Sequence, residues 1–165
     1  MRTDISTRPL ADPRAIVAGD HFRITVLLDG LVRLEYAEDG VFEDRATAFA
    51  TVRELPVPDF EVRESAQQLE IVTERFHLIY DRKPFSSNGL RVHVRGQVSD
   101  YRSVWRFGLD PITLGGTART LDKIDGAVDL EPGVVSRFGY SMIDDSSTLV
   151  LDGDWVAPRD GSRHD

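Results

Sequence analysis

The stretch His21-Phe22-Arg23-Ile24-Thr25-Val26-Leu27-Leu28-Asp29-Gly30-Leu31-Val32-Arg33-Leu34-Glu35-Tyr36 decides the fold. Successive side chains of an extended strand point to opposite sides, so Phe22, Ile24, Val26 and Leu28 share one face while Arg23 and Thr25 share the other. After Asp29-Gly30 the alternation resumes through Val32, Leu34 and Tyr36. Asp-Gly between two alternating runs signals a tight hairpin, because both residues tolerate positive φ. Residues 21–28 and 31–36 are therefore predicted to pair antiparallel.

The same texture extends outward from this hairpin. Runs at 46–54 and 60–64 flank Pro56-Val57-Pro58, and runs at 68–73 and 76–81 flank the short Glu74-Arg75 connection. Leu90, Val92 and Val94 then alternate with Arg91, His93 and Arg95. About six or seven short strands in the first 95 residues, with no helical periodicity beyond two turns, predict antiparallel sheets packed face to face. The expected fold is an all-β antiparallel sandwich with few or no helices. Residues 1–19, with Pro9, Pro13 and Gly19, read as a lead-in arm in which only 15–18 could form a turn of helix, and 20–165 read as the sandwich domain. From about residue 108 the chain is polar and punctuated by Gly115-Gly116, Gly126, Pro132-Gly133 and Gly139, yet it keeps Val134, Val135, Phe138 and Tyr140. Such a segment, 108–146, is expected to be a structured, functional loop. Strand texture returns at 140–143 and 148–151.

Composition narrows the partners. A chain of 165 residues with 41% hydrophobic content suits one domain burying roughly two thirds of its unfolded surface. The 28 acidic residues against 20 basic ones, net −8, argue against nucleic acid, which needs concentrated Lys and Arg. With no cysteine there is no disulfide, thiolate metal site or cysteine nucleophile. No apolar run approaches the roughly 18–20 residues of a membrane span, and the first fourteen residues lack the apolar stretch of a signal peptide. A cytoplasmic protein with no membrane partner is the expectation.

Several motifs were weighed for chemistry. Leu114-Gly115-Gly116-Thr117 has neither the dinucleotide nor the Walker spacing. Asp122, Asp125, Gly126, Asp129 and Glu131 lack the alternate-position acids that precede the glycine of a calcium loop, and read as a solvated acidic loop. No metal or other cofactor is expected. His21, His77 and His93 fall in predicted strands at outward or edge positions, where most histidines are only surface residues. Ser136 and Ser141 lack a nucleophile-elbow sequence. Asp144-Asp145 and Asp152-Gly153-Asp154-Trp155 pair carboxylates with an aromatic, as a sugar site does for hydroxyl bonding and ring stacking. Turn chemistry explains them as well, and better at 152–154 than at 144–145.

The segments Leu114-Gly115-Gly116-Thr117-Ala118-Arg119-Thr120-Leu121-Asp122, Leu130-Glu131-Pro132-Gly133-Val134-Val135-Ser136-Arg137-Phe138-Gly139-Tyr140 and Ile143-Asp144-Asp145-Ser146 resemble bacterial members of glycoside hydrolase family 31. Leu31-Val32-Arg33-Leu34-Glu35-Tyr36, Gly40-Val41-Phe42-Glu43-Asp44-Arg45 and Leu78-Ile79-Tyr80-Asp81 are similar to the strands that open these enzymes. The resemblance implies a non-catalytic N-terminal sandwich, galactose mutarotase-like, of a retaining α-glycosidase of the α-glucosidase or α-xylosidase type, cut before its (β/α)8 barrel. The nucleophile and the acid/base, about 5–5.5 Å apart in retaining enzymes, would come from that barrel, so the chain itself would be inactive. It would brace the barrel and lend a loop to the rim of a pocket for α-linked oligosaccharide. Asp122 best matches the family's rim acid, with Asp144 and Asp145 as further substrate-binding candidates. Phe138 and Tyr140 depart from the polar residue and Trp that relatives often carry. An uncovered barrel-facing surface would also promote self-association. Two other readings stand beside this one. A free-standing carbohydrate-binding module is weakened by having only Trp105 and Trp155, and an aldose mutarotase would use His77 or His93 with a carboxylate.

Overall fold

A computed structural model describes residues 6–96, 103–116, 125–130, 133–153, 155–159 and 163–165. A short 3-10 turn at Pro13–Ala15 leads into β1 (Ile16–Ala18), β2 (Phe22–Leu28) and β3 (Leu31–Ala37). Then follow β4 (Glu61–Glu64), β5 (Leu69–Val72), β6 (Phe76–Tyr80), β7 (Leu90–Val94) and β8 (Val104–Arg106). Last come β9 (Val150–Asp152), β10 (Trp155–Ala157) and β11 (Arg163–His164). The order β1-β2-β3-β11 makes a four-stranded sheet, β4-β5-β6-β7-β8 a five-stranded one, and β9 with β10 a ribbon. Every named pairing is antiparallel.

The two larger sheets bury one common core, which makes the molecule an all-β antiparallel sandwich. Phe22, Ile24 and Val26 of β2 meet Leu69 and Ile71 of β5, Phe76, Leu78 and Tyr80 of β6, Leu90 of β7 and Trp105 of β8. Phe22 and Tyr80 meet edge to face at 5.1 Å, an arrangement that aligns the ring edge of one with the π-face of the other. Thr73 ties the sheets together. Its hydroxyl donates to the Asp29 carbonyl at 2.6 Å, while its oxygen accepts from the backbone N–H groups of Arg75 and Phe76 and closes the β5–β6 turn.

The hairpin at 21–36 forms as the alternation predicts, but its turn differs. Leu28 pairs with Leu31 across Asp29-Gly30, and neither turn residue has positive φ. The register instead slips between Val26 and Leu28. A bulge of this kind adds the strand twist that a positive-φ turn would otherwise supply. It also turns Leu28 toward solvent, although the alternation places it with the core.

Three other expectations are corrected. Residues 46–54 form no strand and make single bridges, Thr47 to Val150 of β9 and Val52 to Arg8 of the lead-in arm. The alternation fails there because Phe49 and Val52 are exposed while Thr47 and Arg53 are buried. The helical turn expected at 15–18 lies earlier, at Pro13–Ala15, while Ile16–Ala18 extends and pairs with β2. Residues 140–143 carry no strand, whereas 148–151 holds most of β9. Among the described residues no helix is long and apolar enough to cross a membrane.

Candidate functional site

The outer face of the four-stranded sheet carries Arg23, Thr25, Arg33 and Glu35. A strand face of this composition ordinarily meets water. Here Thr25 and Glu35 are only 2% exposed, and Glu43, Asp44, Arg159 and Asp165 reach over this face. The result is a buried layer of charge built upward from the hairpin register.

That register sets Arg23 opposite Glu35, and the arginine clamps the carboxylate through Nε at 2.6 Å and Nη2 at 2.8 Å. Arg33, opposite Thr25, reaches Glu35 at 3.0 Å and grips Asp165 with Nε and Nη2, each at 2.6 Å. Asp165 in turn accepts from Arg159 Nη1 at 2.6 Å, and Arg159 Nη2 donates to Asp145 Oδ2 at 3.1 Å. Thr47 Oγ1 donates to the same Asp145 oxygen at 2.9 Å. Burial pushes Asp165 up, but the Arg33 and Arg159 guanidiniums together outweigh it and hold the carboxyl below its usual range. At the edge of the layer a hydrogen bond from Arg45, opposed by partial burial, brings Glu43 down to about 2.

The sequence-derived site residues fall in different surroundings. Asp145 is buried, bonded to Thr47 and Arg159, and closed to a surface ligand. Within this chain it serves as an internal anchor between Thr47 and Arg159. Asp144 is exposed, and its Oδ1 accepts from the Ser146 backbone N–H at 3.0 Å, the bond of an aspartate-led turn. The Ser146 side chain, and after it this backbone bond, lower its pKa. Asp122 lies outside the described residues. Asp152 and Gly153 begin the turn between β9 and β10, where Gly153 takes φ +59°, as the turn reading of 152–154 expects.

Sequence reasoning missed Arg159, Asp165, Arg53 and Glu43. One signal was present in part: an unbroken ladder from the Asp29-Gly30 turn would set Arg23 opposite Tyr36, and the slip between Val26 and Leu28 moves it opposite Glu35. Nothing local foretells that residues more than a hundred positions later complete the layer. Next to it lies a small cleft lined in part by Tyr36, Phe42, Glu43, Arg159 and His164. The cleft is shallow and encloses no room for a small molecule.

A second cluster lies on the outer face of the five-stranded sheet. His77 and His93 are register partners with rings 6.1 Å apart, and His77 Nε2 is 2.7 Å from Glu70 Oε2. This bond leads the causes that lower the Glu70 pKa. Burial, then Arg91, His77 and Arg106, lower His93. Among the described residues no group of three or more His, Asp or Glu side chains could hold a metal ion.

No protein-family model matches the chain, and no curated protein matches it in sequence.

Proposed function

We propose that this chain is the non-catalytic N-terminal sandwich of a retaining α-glycosidase of the glycoside hydrolase family 31 kind, galactose mutarotase-like in fold. It braces a catalytic barrel and lends residues 108–146 to the rim of a pocket for α-linked oligosaccharide. One observation carries the reading beyond the sequence resemblance: Ile112, Leu114, Val134 and Val135 are each 58–71% exposed along that segment. A run of bare aliphatic side chains suits a surface that another domain covers. Asp122 and Asp144 are the rim carboxylates in this reading, and Asp145 anchors the loop that presents Asp144. The protein works in the cytoplasm, and its carbohydrate contact is made through the complete enzyme. The test is the coding sequence downstream of Asp165, followed by assay of the whole product on nitrophenyl α-glycosides. A (β/α)8 barrel with two facing carboxylates and α-glycosidase activity is expected. A stop codon directly after Asp165, or hydrolysis by residues 1–165 alone, overturns the reading.

The His77–Glu70 contact favours one other reading, an aldose mutarotase. Ring opening needs a base for the anomeric hydroxyl proton and an acid for the ring oxygen, and a histidine beside a carboxylate can supply such a pair. Polarimetry on fresh α-glucose and α-galactose separates the two. Rotation that decays no faster than in buffer removes the mutarotase, and acceleration lost in His77→Gln establishes it.

A further inference from the structure

Arg53 is 2% exposed, and its guanidinium is fixed on one side only. Nη1 donates to the carbonyls of Pro9 at 3.3 Å and Arg45 at 3.1 Å, while Nε and Nη2 are buried with no hydrogen-bond partner. The Nε/Nη2 edge is the fork that matches the two oxygens of a carboxylate. In Arg14, Arg23, Arg33, Arg45 and Arg63 that same edge grips a carboxylate of this chain. Arg53 alone combines full burial with an empty fork among these six.

Charge bookkeeping across the buried layer points the same way. Arg23, Arg33, Arg45, Arg53 and Arg159 face Glu35, Glu43, Asp44, Asp145 and Asp165. The count balances at five against five, but Asp44 is 57% exposed and lies on Arg23, and no carboxylate oxygen sits on the Arg53 fork. All five carboxylates bond to arginines other than Arg53. A buried guanidinium edge without a hydrogen-bonded partner is costly, since an ion leaving water regains its solvation only through partners. Burial, followed by the nearby Arg33 charge, lowers the Arg53 pKa against the opposing pull of Asp165, Glu35 and Asp145, none of which bonds its fork. A single water would present one oxygen and neutralise nothing.

We propose that the Nε/Nη2 edge of Arg53 is an internal binding site for a small planar monoanion of the carboxylate or bicarbonate class, which completes the buried charge layer. The ligand enters past the lead-in arm, held here by backbone bonds of Arg8 to Thr51 and of Arg53 and Glu54 to Arg8. So short a pairing can open locally without unfolding the sandwich.

The test titrates the full chain with sodium formate against sodium chloride at equal ionic strength, following the melting temperature. A ligand that binds only the folded state raises it with a saturating dependence, by about 3–6 °C at ten times its Kd. Arg53→Met should abolish the formate-specific rise, and Arg53→Lys should lose most of it because an ammonium has no fork. Equal shifts with chloride, or a formate rise that survives Arg53→Met, overturn the proposal. Should Arg53→Met fail to fold, a high-resolution crystal structure of the unaltered chain in formate decides. Planar density across Nε and Nη2 supports the site, and a lone spherical water there refutes it.

Discussion

Asp144 and Asp145 are sequence neighbours whose chemistry is set by burial. Removing one member of a buried charge pair strands the other, at about 3–5 kcal/mol, so Asp145→Ala should lower the urea midpoint sharply by leaving Arg159 and Thr47 without their acceptor. Asp144→Ala, exposed and bonded only within its own turn, should stay within about 1 kcal/mol. Equal effects of the two in urea denaturation would contradict the environments described. If the proposed barrel follows this chain, Asp122→Asn in the complete protein should spare folding and reduce kcat/KM about tenfold to a hundredfold, the scale of a lost charged hydrogen bond to a sugar hydroxyl. An efficiency within about twofold of the parent would remove it from the rim. Glu43 has its own pH signature. Its folded pKa of about 2 lies below the ordinary 4.5, so its contribution is complete above pH 4.5 and is lost as pH falls toward 2. After discount for the partly exposed Arg45, the difference between the parent and Glu43→Gln should be about 1–2 kcal/mol at pH 7 and vanish near pH 2. A difference that grows on acidification would reverse the assignment. The sequence named Asp144 and Asp145 together because composition does not distinguish a turn aspartate from a buried one; only the late-arriving Arg159 separates them.

At the scale of elements, β11 has the most leverage for its length. Two residues pair with the edge of β3, Arg163 with Ala37 and His164 with Tyr36, and they deliver Asp165 into the forks of Arg33 and Arg159. Asp165→Ala should therefore destabilise the whole four-stranded sheet, again by about 3–5 kcal/mol, and a urea midpoint unchanged from the parent would refute this. The strands that alternate cleanly, β2, β3, β5, β6 and β7, were legible because one face of each is buried and the other is polar. The short strands β1, β8, β10 and β11 were not. Three residues or fewer cannot display a period of two, and their pairing is imposed by longer neighbours. Residues 46–54 failed in the opposite sense: Phe49 and Val52 mimic alternation, but the segment is held by the side chains of Thr47 and Arg53 and not by a ladder.

The molecule as a whole combines a net charge of −8 with exposed Ile112, Leu114, Val134, Val135 and Trp155. Self-repulsion and apolar attraction thus compete, and salt shifts the balance by screening the first. Light scattering should show little association at low ionic strength and more at about 0.5 M salt; a strict monomer at high protein concentration under both conditions would mean that the apolar side chains form no adhesive surface. The closure of β3 by β11 also dictates an order of events during synthesis. Arg33 waits for Asp165, 132 residues behind it, which at about 5–20 residues per second means roughly 7–26 s on the ribosome. During that interval the far edge of β3 is an open strand with free N–H and C=O groups, and Arg33 has only the Glu35 carboxylate it shares with Arg23 as counter-ion. Such an edge invites pairing with a neighbouring nascent chain. Yield of properly folded protein should therefore fall when polysomes are crowded, and recover when a holdase shields the first sheet until its closing strand emerges.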